Sequence, residues 1–73
     1  IWETIQARLA NVPAPRLAND KAKILKAAHG LSHAEITRAC EEATKEMLLR
    51  GHRAVTTGAL VAALTERRLF LNH

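Results

Sequence analysis

The sequence predicts an all-α fold, a small four-helix bundle, on three observations. Ten Leu and fourteen Ala dominate the apolar side chains, and both are strong helix formers. Tyr is absent and no β-branched run occurs, which disfavours a sheet. Apolar residues also recur at three- and four-residue steps in four stretches, each bounded by Gly, Pro or a capping residue. A chain of 73 residues makes one domain, residues 1–73. A core of that size supplies only about 3–5 kcal/mol, and such domains usually recruit a disulfide, a metal or a partner. With one cysteine and four scattered histidines, a partner is the best candidate.

Trp2, Ile5 and Leu9 set the stripe of a first helix over residues 1–10, which Asn11 and Pro13-Ala14-Pro15 must end. A second helix is expected over 20–29, with Asn19 or Asp20 accepting from first-turn amides. Its buried stripe is Ile24, Leu25 and Ala28, and it stops at His29-Gly30. The third helix, 33–50, has the clearest start: Ser32 followed by Glu35 is a capping box, with Leu31 and Ile36 as its hydrophobic staple. Ile36, Ala39, Cys40, Ala43 and Met47 form its apolar face and Gly51 closes it. Glu41 with Lys45, and Glu46 with Arg50, are spaced for helical ion pairs of about 0.2–0.5 kcal/mol each.

Thr56 caps a fourth helix over 57–68, with Val55 stapling onto Leu60. Ala59, Leu60, Ala63 and Leu64 form its stripe. Gly58 allows either a close backbone approach or simple tolerance in a first turn. Leu69-Phe70-Leu71 is an apolar trio too short to fold alone, and is expected to seat against this domain or a neighbour.

Several chemistries are not provided for. No nucleophile, base and orienting group come together in the sequence, so no catalytic residue is assigned. Cys40 sits mid-stripe, where a thiol acts as a small hydrophobe. His29 and His33 are four apart, but Gly30 and the other intervening residues are wrong for a zinc helix, so no metal site is assigned. No apolar run approaches the ~18–20 residues needed to cross a bilayer, and no secretion signal opens the chain. With a lone cysteine, that fits a cytoplasmic setting. The chain starts at Ile1 and holds no phosphate loop, which suggests a piece of something longer and argues against a self-contained enzyme. The formal net charge of +4 and pI near 10.0 raise the question of nucleic acid. Glu41, Glu42 and Glu46 interrupt any continuous basic face, however, so nucleic acid is not the expected partner.

Gly30-Leu31-Ser32-His33-Ala34-Glu35-Ile36, then Cys40, Ala43, Val55-Thr56 and Leu60 with Ala62-Ala63-Leu64, form a joint pattern. It resembles the C-terminal helical lid subdomain of AAA-type (AAA+) ATPases, whose lids read G-[FLY]-S-G-A-[DE]-[IL], then Cys and Ala, then V-T-x-x-D-[FL] and an A-L pair. The likeness covers nearly the whole chain, to Arg68. It implies the lid half of a nucleotide cleft. ATP would be the cofactor, its magnesium held by a large subdomain that this sequence does not contain. Gly30, Ser32, His33 and Ala34 would then be the nucleotide-binding residues, the turn and helix start lying against adenine and ribose. The implied partners are the large subdomains of the same chain and of the adjacent protomer, in a homo-oligomeric ring. The isolated chain is expected to be inactive although its parent hydrolyses ATP. Lys21, Lys23, the fourth helix and Leu69-Phe70-Leu71 are candidate contact surfaces.

Departures from the pattern are specific. His33 stands where Gly is commoner, which brings a ring to the base. Gly58 follows Thr56 by two, and Ala59 stands where the lids often have Asp. Ala34 takes the small-residue form of a position that carries a phosphate-sensing Arg in other branches, and Arg38, a turn further on, is not assigned that role. Two alternatives remain open. One is a helix-turn-helix DNA-binding module, with Ala27–Gly30 leading through the turn to Thr37, Arg38 and Glu41 on a recognition helix. The other is a helical interaction domain with no nucleotide role.

Overall fold

The structure, a computed structural model, describes residues 1–15 and 17–71, with the side chain of Leu71 excepted. Among the described residues there are four α-helices and no strand: α1 (Trp2–Arg8), α2 (Lys21–Ala28), α3 (His33–Leu49) and α4 (Thr57–Leu71). The bundle measures 33 × 24 × 17 Å. With helix axes packing about 8–10 Å apart, its short dimension is two layers deep.

α4 lies against both α3 and α2, and α1 covers α3. One core joins them, built from Ile5, Leu9, Leu17, Ile24, Ala28, Leu31, Ile36, Ala39, Cys40, Leu60 and Leu64 with their smaller neighbours. The α3 stripe is as expected: Ile36, Ala39, Cys40, Ala43 and Met47 are all buried. Burial pushes the Cys40 thiol up to about 11, so it stays protonated near neutrality. On α2 the buried set is Ile24, Ala27 and Ala28, while Leu25 is only half-buried. Ala27 and Ala28 join Ile24 in the common core.

Every helix differs from expectation at one end or both. α1 runs over 2–8 rather than 1–10, because Ala10 N–H bonds back to Ala7 and Val12 N–H to Leu9, and these three-residue turns leave α geometry before Asn11. α2 is preceded by a short 3-10 turn, Ala18–Asp20, and has no side-chain cap. The Asp20 carboxylate accepts instead from the Thr57 hydroxyl at 2.7 Å, tying the start of α2 to the start of α4. α2 ends at Ala28 and α3 at Leu49, one residue short in each case. α4 continues past Arg68 to Leu71, since neither Gly nor Pro follows to stop it. Leu69 and Phe70 therefore ride on the helix and stay exposed, rather than seating against this domain. The Leu71 side chain lies outside the described residues.

Start signals fare better. The Ser32 hydroxyl accepts from Glu35 N–H at 3.2 Å and the Thr56 hydroxyl from Ala59 N–H at 3.1 Å. Their staple residues Leu31, Ile36, Val55 and Leu60 are all buried. Gly30 and Gly51 have φ of +86° and +68°, a region that side chains with a Cβ avoid. Gly51 closes α3 in a Schellman motif, with His52 N–H on Met47 and Gly51 N–H on Leu48. Nothing lies within 4 Å of a Cβ built on Gly58, so that residue is tolerated in a first turn rather than required.

Candidate functional site

The α2–α3 corner brings Gly30, Ser32, His33 and Ala34 together on the surface, all exposed. Each has a distinct local reason. Gly30 reverses the chain through its positive φ, and Leu31 N–H returns to Ala28 at 3.1 Å. Ser32 caps α3 through the Glu35 amide, and its own carbonyl takes the Ile36 amide at 3.0 Å. The amides of His33 and Ala34, in the first turn, have no intrahelical partner. They lie at the positive end of a helix of 17 residues. Ala34 adds only a methyl there and is exposed.

The His33 ring is engaged sideways. Its Nδ1 lies 3.2 Å from the Thr4 hydroxyl, joining α1 to the start of α3. Nearby on α1, Trp2 is half-buried against the core, with the Lys21 ammonium 5.5 Å from its ring centre. Trp2 thus packs the α1–α2 junction. Arg38 is exposed one turn beyond Ala34.

Sequence reasoning missed what holds this corner in place. Arg67, on the last turns of α4, pairs with Glu42 and, at 3.5 Å, with Glu35. Its hydrogen bond to Glu42 raises the Arg67 pKa above the usual arginine value. Glu35, expected to complete the capping box by reaching back to Ser32, is turned to Arg67 instead. Arg68 donates to the last carbonyls of α2. Such contacts at a helix C-terminus contribute about 0.3–1 kcal/mol when exposed and more when partly buried. A repeated Arg pair after a helical stripe signals only surface charge; its targets are 25 to 42 residues away in sequence. Of the two helical ion pairs expected on α3, Glu46–Arg50 forms and Glu41–Lys45 does not.

A second concavity was also not foreseen. A groove of about 690 Å³ runs between the C-terminal half of α3 and the N-terminal half of α4. Its floor is small and apolar, with Ala43, Met47, Ala59, Ala62 and Ala63, and its rim carries charges of both signs. It shares no residue with the α2–α3 corner.

Among the described residues no three His, Cys, Asp or Glu side chains are grouped to hold a metal, and Cys40 is buried. Among the described residues no helix is long and apolar enough to cross a membrane. Comparison with protein-family models, with curated proteins and with solved structures finds no match to this chain.

Proposed function

We propose that this chain is the lid subdomain of an AAA-type ATPase, covering bound nucleotide with its α2–α3 corner. The observation that carries the reading is that corner itself. A positive-φ Gly30, a serine-capped helix start and the small Ala34 leave unpartnered amides on an open surface. Such a surface suits a flat heterocycle met by packing and backbone hydrogen bonds. It holds no cation cluster for phosphates and no carboxylates for magnesium, so those contacts belong to the large subdomain in this reading. Closure over nucleotide would then pass to the adjacent protomer as a rigid-body rotation. His33 is tied to Thr4 at the edge of the surface, where its ring flanks the base rather than stacking on it.

DNA reading has less to support it. Arg67 and Arg68 are committed to Glu35, Glu42 and the end of α2, and the would-be recognition helix carries Glu35, Glu41 and Glu42 among its first ten residues.

Titration of the isotopically labelled chain with ATP tests the proposal. The expected result is a shift of the Gly30, His33 and Ala34 amides with millimolar affinity, reproduced by adenosine but not by inorganic triphosphate, and no ATP hydrolysis. Absence of any response at those amides refutes it, and so does tight stoichiometric binding. Strong, salt-sensitive affinity for a DNA duplex would instead favour the helix-turn-helix reading.

A further inference from the structure

Arg68 is one of few side chains that reach across the bundle to backbone. Its Nη2 lies 2.7 Å from the Lys26 carbonyl oxygen, 2.9 Å from that of Ala27 and 3.0 Å from that of His29. Carbonyls in the last turn of a helix have no intrahelical donor, and they form the negative end of its dipole. Nη2 carries two N–H groups, so three acceptors share two protons and the carbonyls of Lys26, Ala27 and His29 are held rather than one peptide. His29 is the final residue before Gly30. On the other side of the turn, Arg67 reaches Glu35 in the first turn of α3. Adjacent residues of α4 thus grip the chain just before and just after the 30–34 corner.

α4 is fastened to α2 at both ends, because Thr57 donates to Asp20 at the opposite end of the pair. The two helices therefore run parallel, and a tilt or slide of α4 about that fixed start is delivered at the Arg68 end. Beyond the clamp, Leu69 and Phe70 are 63% and 68% exposed.

We propose that Arg68 is the positioning residue of the Gly30–Ala34 turn, coupling the last turns of α4 to it, so that force applied at Leu69 and Phe70 is felt by the nucleotide-facing backbone. The inference rests on the lid reading for what the turn does, but not for what holds it. Arg68 touches no ligand in this scheme; it acts through the end of α2.

Amide hydrogen exchange on the wild-type chain, Arg68→Met and Arg68→Lys tests the clamp. Methionine keeps most of the length and the apolar stem while removing the donors. In Arg68→Met the His29 and Leu31 amides are expected to exchange about tenfold faster, while core amides such as Ala43 and Leu64 keep their wild-type rates. Lysine, which still donates to carbonyls, is expected to restore most of the protection. Unchanged His29 and Leu31 amides overturn the proposal, as does a rise shared equally with the core. If Arg68→Met fails to fold, Arg68→Gln, whose shorter side chain cannot span to the three carbonyls, decides: faster exchange confined to the turn supports the clamp, and uniform or unchanged exchange refutes it. ATP titration of the same variants is the second readout. Where the wild-type chain responds, Arg68→Met must respond several-fold more weakly, and an equal response sinks the coupling. Where the wild-type chain is silent, the lid reading fails by itself and the exchange data still decide whether Arg68 holds the turn.

Discussion

The two corners of this bundle are built from the same local parts and end up with opposite character. At each, a helix ends on a positive-φ glycine, a buried aliphatic residue follows, and a hydroxyl residue caps the next helix: Gly30, Leu31 and Ser32 at one, Gly51, Val55 and Thr56 at the other. The first linker spans only residues 29–32 and is gripped from α4 by two arginines. The second spans residues 50–56, is tied to the α1–α2 loop by Val55 N–H on the Pro13 carbonyl at 2.8 Å, and opens beside an alanine-floored groove. Local sequence sets where the chain turns. Long-range partners decide whether the turn is a rigid polar surface or the edge of a cleft.

Substitutions can break or sharpen that contrast. The largest effect is expected from Leu60→Ala, which empties a fully buried position just inside the second corner. A loss of about 2–5 kcal/mol is expected, enough to abolish the cooperative urea transition of so small a domain; a shift under 1 kcal/mol would mean that this corner is not anchored by the core. Next come Gly30→Ala and Gly51→Ala. Each has open space for a methyl, so only the backbone resists, at about 1–2 kcal/mol, and the two midpoints should fall by similar amounts. A much greater loss at Gly30 would show that the tighter linker adds strain of its own.

Ser32→Ala and Thr56→Ala form the third test. Loss of either cap costs about 1 kcal/mol, measured by thermal melts, but only Ser32→Ala is expected to alter amide exchange near His33. Equal disturbance at both corners would erase the distinction. Smallest is Gly58→Ala, in the first turn after Thr56. With nothing near the added Cβ, it is expected to stabilise by about 0.4–1 kcal/mol, and a lower melting temperature would show that the glycine serves a contact.

The sequence made some of this legible and hid the rest for identifiable reasons. α3 was readable because its cap, staple and five-residue stripe all depend on neighbours within a few positions, and each is found in place. The Gly30–Ala34 corner was locatable for the same reason. Asp20 was misread as a cap: its carboxylate had a choice between nearby amides and a hydroxyl 37 residues away, and only packing decides which is nearer. Leu25 reads as core ahead of Ala27 because hydrophobicity favours the larger side chain, whereas the folded helix buries Ala27 and leaves Leu25 half-buried. The end of α4 is expected too early because Leu69-Phe70-Leu71 is set apart as a separate apolar trio, whereas the backbone has no reason to stop before it. The roles of Arg67 and Arg68 are hidden, since nothing local to them names the carbonyls and carboxylates they serve. The groove is likewise a property of two helices together, invisible in either one.

Among the described residues, the large apolar side chains left in water beyond Ile1 fall in two pairs: Leu48 and Leu49 end α3, and Leu69 and Phe70 end α4. Because those helices run in opposite directions, the pairs stand at far ends of a body 33 Å long, separated by roughly the 22 Å rise of a fifteen-residue helix. Apolar surface is therefore offered at two separate tips of the body rather than as one continuous patch.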